Sequence, residues 1–291
     1  MHVQIYKLLC LKGNPPFTER GVNNALVFGG NLVLCWSTVA VQRIKKLKIS
    51  EIRISCCNCS LSELCLPHGM SGEDMNALDQ IVKHQQPYQP GQHVFRAGDQ
   101  SRALFAVRSG ALKSYCTTEG GDEQVLGFTM PGELVGLDGM SDGAYASNSV
   151  VLETASICEL PYDNLEELCH SLRGLNHQLM RLASKEITAD QRMLLLLGKR
   201  PAEDKLATFL LSLSNRYKSR GLSATEFNLP MSRQDIGNYL GMAIETVSRL
   251  FAHFQEEGLL NVNRREITIT DLPRLGGMVD GYLEYALTSA S

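Results

Sequence analysis

"MSRQDIGNYLGMAIETVSRLFAHFQEEGLLNVNRREITITD", residues 231–271, divides into a helix, a tight turn, a second helix and a hairpin. Ser232 and Asp235 have the spacing of a capping box, and Ile236, Tyr239 and Leu240 supply the inner face of the first helix. Gly241 permits the turn. Ile244, Val247, Leu250, Phe251 and Phe254 stripe the second helix, and Gly258 stops it. "LLNVNRREITIT" (259–270) reads as two strands joined by a basic tip. The pattern predicts a winged helix-turn-helix.

Opposite the second helix's apolar stripe stand Glu245, Ser248 and Arg249, spaced to share one face near its amino end. Arginine grips guanine O6 and N7 with two hydrogen bonds, glutamate accepts from the cytosine amine, and serine reaches several base edges. The plainer alternative is a solvated Glu–Arg pair worth roughly a few tenths of a kcal/mol. Residues 200–266 hold nine Lys/Arg against eight Asp/Glu, so charge alone does not identify a DNA-binding domain. The helix-turn-helix context does, and Arg233, Arg264 and Arg265 are candidates for phosphate contacts.

Upstream lies "LNHQLMRLASKEITADQRMLLLLGKR" (175–200). Met180, Ala183, Ile187, Asp190, Leu194 and Leu197 alternate three- and four-residue steps, the spacing of a coiled-coil seam. An ordinary core-facing stripe overlaps that pattern over a few turns. A long helix leaving a β domain favours a second subunit. Asp190 then sets a carboxylate opposite its own symmetry mate. Burying two like charges costs on the order of several kcal/mol, which makes such an interface suited to switching.

Between 87 and 161, short β-rich runs alternate with turn residues: "HVFRAG", "ALFAVRSGALKSYCTT", "DEQVLGFTM" and "SNSVVLETASICELP". These predict an antiparallel β-roll. A short helix over 71–84 precedes it, with Ser71 and Asp74 at capping-box spacing.

Before that helix comes "SCCNCSLSELCLP" (55–67), four thiols within ten positions. The chain has 291 residues, 44% hydrophobic and 20% charged, with a net charge of −3, which excludes a globally basic nucleic-acid binder. Nine cysteines and no standard signal peptide argue for a reducing cytosol, where clustered cysteines bind metal or do redox chemistry. Cys56 and Cys59 form a Cys-x2-Cys pair and Cys65 follows; Cys57 is an additional thiol. The fourth ligand is open among Cys10, Cys35, Cys116, Cys158 and Cys169. So is what they hold: zinc in a closed tetrahedral site, an iron–sulfur cluster, or no metal, the thiols simply packing in the interior. The apolar run at 25–41 is interrupted by Gly29, Gly30 and Asn31, so no membrane role is expected.

The order of parts resembles the Crp/Fnr superfamily, and "C-x-x-CSLSELCLP", "VRSGALKSY", "GDEQVLGF", "LVGLDGM", "LETASICELP" and "DIGNYLGMAIETVSRLF" resemble its oxygen-sensing FNR branch over about residues 56–271. The resemblance implies one [4Fe–4S] cluster per subunit, held by Cys56, Cys59, Cys65 and Cys158. It implies that oxygen converts the cluster to [2Fe–2S], that the homodimer then separates, and that double-stranded DNA with a palindromic TTGAT-N4-ATCAA-like site is released. Asp190 matches the branch's interface aspartate, with Ile187 one turn before it. Gly121 and Asp122 match a patch that touches RNA polymerase. Cyclic-nucleotide-binding relatives keep an arginine and a serine on the phosphate; here Ala146 and Ser147 stand at those positions, so no cyclic nucleotide is expected.

The fold expected is α+β. It divides into an unassigned extension (1–50), a cluster-binding segment (51–69), a β-roll sensor domain (70–172), a dimerisation helix (173–199), a winged helix-turn-helix domain (200–274) and a tail (275–291). The function expected is a cytoplasmic, oxygen-responsive activator and repressor of anaerobic genes, not an enzyme. The competing readings are a redox-silent zinc regulator of the same build and an electron-transfer protein, which has no need of a helix-turn-helix.

Overall fold

Long alternating runs punctuated by glycine turns build the centre of the molecule. In the computed structural model, described over residues 55–279, helix α1 (Gly72–Ile81) leads into strands β1 (Lys83–His84), β2 (His93–Phe95), β3 (Ala103–Thr117), β4 (Glu123–Thr129), β5 (Leu134–Val135) and β6 (Asn148–Pro161). The extension at 1–50 with its apolar run, Cys10 and Cys35, and positions 280–291 of the tail lie outside those residues. The pairing is antiparallel throughout, in the order β1-β6-β3-β4, with β2 also on β6 and β5 also on β3. The β3–β6 ladder runs from Ala103↔Pro161 to Tyr115↔Asn148 and sets Cys158 opposite Ala106. On the other side of β6, Cys158 faces His84 of β1. This is the expected roll, its interior filled by Phe95, Phe105, Tyr145, Val151 and Ile157.

Two helices follow the roll, α2 (Tyr162–Ser171) and α3 (Arg173–Lys199). Leu172 between them is extended (φ −110°, ψ 93°) and packs into a second core that also takes Leu175 and Leu179 of α3. The bend lets both helices bury apolar residues against the roll. Helix α1 starts at Ser71, whose side chain accepts from the Asp74 amide.

Helix α4 (Ala202–Ser219) follows, then β7 (Glu226–Asn228), α5 (Arg233–Leu240), α6 (Ile244–Glu256), β8 (Leu260–Asn263), β9 (Glu266–Ile269) and α7 (Leu272–Gly277). Helix α4 buries Leu206, Ala207, Phe209, Leu210, Leu211 and Leu213 over about half of its circumference, a broad core-facing side. Helix α5 carries a full capping box, Ser232 and Asp235 bonding reciprocally. Gly241 at φ 64° turns the chain into α6. The wing is the sheet β7-β9-β8, with Arg264 and Arg265 at its tip. Ile244, expected inside, is 43% exposed because it begins α6 at the surface.

One core joins the roll to the reader domain: Val125, Phe128 and Met130 pack with residues of α4, α5, α6 and the wing. Among the described residues no helix is long and apolar enough to cross a membrane.

Candidate thiol pocket and DNA-reading face

Ser55 caps a short 3-10 turn, Cys56–Asn58, by accepting from the Cys57 amide. The chain then coils back through Cys59 and Leu61 to Cys65. Leu66, 1% exposed, plugs this segment into the core shared with Leu78, Leu104, Leu160, Leu175 and Leu179. Two further contacts fix it. The Cys56 amide donates to Asp79 Oδ1 at 2.8 Å, and the Gln178 side chain of α3 donates from Nε2 to the Cys65 carbonyl at 3.0 Å. Gly132, at φ 90°, lies beneath Leu64; a Cβ there would come within 2.9 Å of the Leu64 Cβ, so only glycine lets the segment seat.

Seating the segment brings Cys56, Cys59 and Cys65 to the same pocket as Cys158 of β6. The pocket is partly open to solvent and is otherwise walled mainly by Leu66, Leu78, Val82 and Leu160. All four thiols are free, and Cys57, Cys116 and Cys169 lie outside the pocket. Burial raises the Cys56 thiol to about 12, with Asp79, Cys158 and Cys65 adding to it. Burial also raises Cys65 to about 12, against a backbone bond from Leu66 that lowers it. Cys158 rises to about 11, again by burial, while Arg108 pulls it down. Buried thiols of this kind stay neutral unless a cation takes the place of their protons. Among the described residues no three His, Cys, Asp or Glu side chains come close enough to share one metal ion. A mononuclear zinc site needs four sulfurs about 2.3 Å from one centre. A multi-iron cluster puts each thiolate on its own iron and spans wider spacings. Four thiols lining one pocket are the number of donors that a tetrahedral zinc or a four-thiolate cluster uses.

The candidate base-contacting residues lie at the surface. Glu245, Ser248 and Arg249 are all exposed near the start of α6, with the Ser248 hydroxyl donating to the Ile244 carbonyl at 2.9 Å. Arg264 and Arg265 are exposed. Arg233 is different: its guanidinium lies 3.4 Å over the Phe251 ring, and burial lowers it to about 10. Ile187, Met180 and Leu194 are 59%, 58% and 71% exposed along α3, and Asp190 is exposed beside them. Gly121 and Asp122 occupy the exposed turn between β3 and β4.

Sequence reasoning missed the long-range polar contacts. Glu133, from the "PGELVG" turn, pairs with Arg216 and with Arg220 at 2.7 Å, both on α4 or its C-cap. Burial alone would raise the Glu133 carboxyl, but the arginines outweigh it and hold it low. Where a cyclic phosphate would need donors, Asp138 Oδ2 accepts from the Ala146 amide (3.1 Å), the Ser147 amide (3.0 Å) and the Ser147 hydroxyl (2.8 Å). For Gln178 a signal existed: a glutamine between Leu175 and Leu182 on an otherwise apolar face.

A β-roll joined through a long helix to a winged helix-turn-helix is the build of a DNA-binding transcription regulator. Residues 85–171 match the cyclic nucleotide-binding domain family and 204–278 the Crp-like helix-turn-helix domain family. The chain is 50% identical over 229 residues to the transcriptional activator protein anr of Pseudomonas aeruginosa, covering 79% of this chain and 94% of that protein. It is 45% identical to the fumarate and nitrate reduction regulatory protein of Escherichia coli, covering 78% and 90%. Among solved structures FixK2 of Bradyrhizobium japonicum superposes with a TM-score of 0.63 at 27% identity, over 68% of this chain and 96% of that one. The chain belongs to the Crp/Fnr family, as an FNR-type regulator.

Proposed function

We propose that the chain is an oxygen-responsive activator and repressor of anaerobic genes, acting in the cytoplasm as a homodimer. The observation that carries this reading is that Cys56, Cys59 and Cys65, brought together with the distant Cys158, line one pocket in a chain half identical to anr. A [4Fe–4S] cluster bound there supplies an oxygen-labile link between the amino-terminal segment and the β-roll. Arg108 sets a cation beside Cys158, which suits an anionic cluster. Leu66 and Gln178 carry the segment's position to the amino half of α3. The apolar stripe Met180, Ile187 and Leu194 pairs with its copy in a second subunit, and Asp190 opposes its mate there. Each α6 then reads one half of a palindromic TTGAT-N4-ATCAA-like site through Glu245, Ser248 and Arg249, with Arg233, Arg264 and Arg265 near the phosphates. The exposed Gly121–Asp122 turn faces RNA polymerase.

Effector binding by a cyclic nucleotide is disfavoured twice over. Glu133 is engaged by two arginines of the reader domain, and Asp138 saturates the donors a phosphate would need.

Iron and sulfide analysis after strictly anaerobic purification tests the proposal. The wild type should carry about four irons per chain, and alanine at position 56, 59, 65 or 158 should abolish them while alanine at 57, 116 or 169 does not. A colourless protein holding zinc would refute it.

A further inference from the structure

Among the described residues only Thr129, Ser147, Ser149, Gln178 and Ser214 are buried polar side chains. Gln178, 4% exposed, joins the thiol pocket to the helix that carries the dimer stripe. Its Nε2 donates to the Cys65 carbonyl at 3.0 Å, and its Oε1 accepts from Arg181 Nε at 2.8 Å. Arg181 is a donor only, so it fixes which end of the amide faces Cys65. Burying an amide costs free energy unless both ends are bonded, and here both are. The apolar contacts around Leu66, Leu175 and Leu179 attach the same two elements, but they are non-directional and tolerate sliding. The glutamine bond is directional. A displacement of the Cys65 carbonyl leaves the buried Nε2 without that acceptor, two residues from exposed Met180 in the stripe.

We propose that Gln178 is the positioning residue through which the state of the thiol pocket sets the register of α3 for dimerisation. This rests on the four-thiol reading above. Arg181 acts with it by holding the amide in its donating orientation. Loss of the pocket's inorganic core frees Cys65, unpairs Gln178, and makes the dimer-competent position of α3 less favourable.

The test compares wild type with Gln178→Glu, Gln178→Met and Arg181→Met as full chains purified without air. Gln178→Glu keeps size and the Arg181 contact but removes the donor to Cys65; Gln178→Met removes both bonds. Iron per chain and the monomer–dimer constant are measured by sedimentation before and after iron is stripped. Expected is normal iron content in all the variants, with the ratio of the two dimer constants in either Gln178 variant reduced about tenfold from wild type. Arg181→Met should lose part of the same ratio. Unchanged ratios in the Gln178 variants, or loss of iron in them, would overturn the proposal, the second by making Gln178 a scaffold of the pocket alone. A wild type that binds iron yet dimerises equally without it removes the inference but not the four-thiol site. A wild type without iron removes both.

Discussion

Lys113 Nζ of β3 lies 2.9 Å from Asp235 Oδ1, so the β-roll grips the carboxylate that caps the first helix of the DNA reader. Both side chains are largely buried, at 12% and 18% exposed. Burial alone would lower the ammonium, but its bonds to Asp235 and Glu123 outweigh that and raise it. Asn238 of α5 adds bonds to the Val125 amide and the Glu123 carbonyl. Glu133 with Arg216 and Arg220 forms the other half of the seam between the domains.

That pair should couple measurably. Lys113→Met leaves Asp235 its cap but removes its counter-ion, and should cost about 1–3 kcal/mol. A double-mutant cycle with Asp235→Asn, read by urea unfolding, should return a coupling of about 1 kcal/mol or more. Additive effects would show that the contact contributes nothing.

The reading face makes a second prediction. Arg249→Ala should weaken operator binding by about 1–3 kcal/mol and relax preference at a guanine position. Arg264→Ala should instead weaken all sequences alike and reduce the salt slope by about one. Fluorescence anisotropy across a salt series with matched and mutated sites separates the two.

Glu186, on α3, gives a pH signature. The residue as a whole is exposed, but its carboxyl is largely shut off from water, and this burial, with Asp190 and Glu133 adding to it, pushes it up to about 7 from its usual 4.5. The native state therefore holds this proton more tightly than the unfolded chain does. The stability it contributes is full below the usual value and lost as pH rises through the folded one. Glu186→Gln should match wild type near pH 4 and exceed it at about pH 8, measured by urea midpoints. A constant difference across that range would contradict the shift.

Much of the reader domain was legible because its signals are local. A capping box, a glycine turn and a 3.6-residue stripe all lie within forty residues of one another. Helix α4, whose buried side is broad, carries no comparable local signature. Three of the pocket's cysteines announced themselves by spacing. Cys158 did not: only the β1–β6 and β3–β6 pairing returns it to them, and in the sequence the likeness to a family had to single it out from four others. The same holds for Gln178 with Cys65 and for Glu133 with Arg216 and Arg220, partners 83 to 113 residues apart. Asp138 in its nest of amides is a shorter-range case, nine residues from Ser147, that residue types alone do not reveal.

The switch proposed at Asp190 can be tested as well. Burial already raises its carboxyl somewhat, and pairing two subunits along α3 brings two such groups together. Asp190→Ala should dimerise in air, whereas wild type should not. A variant that remains monomeric under oxygen would show that repulsion at this position does not govern assembly.

The most direct measurement is sedimentation of the anaerobic wild-type protein, before and after a brief exposure to air, with iron and operator binding followed in the same samples. Iron-loaded chains should sediment as a dimer that binds operator, and the aerated sample should lose iron, dissociate and release DNA together. Dimerisation and operator affinity that stay the same while the iron is lost would contradict the account.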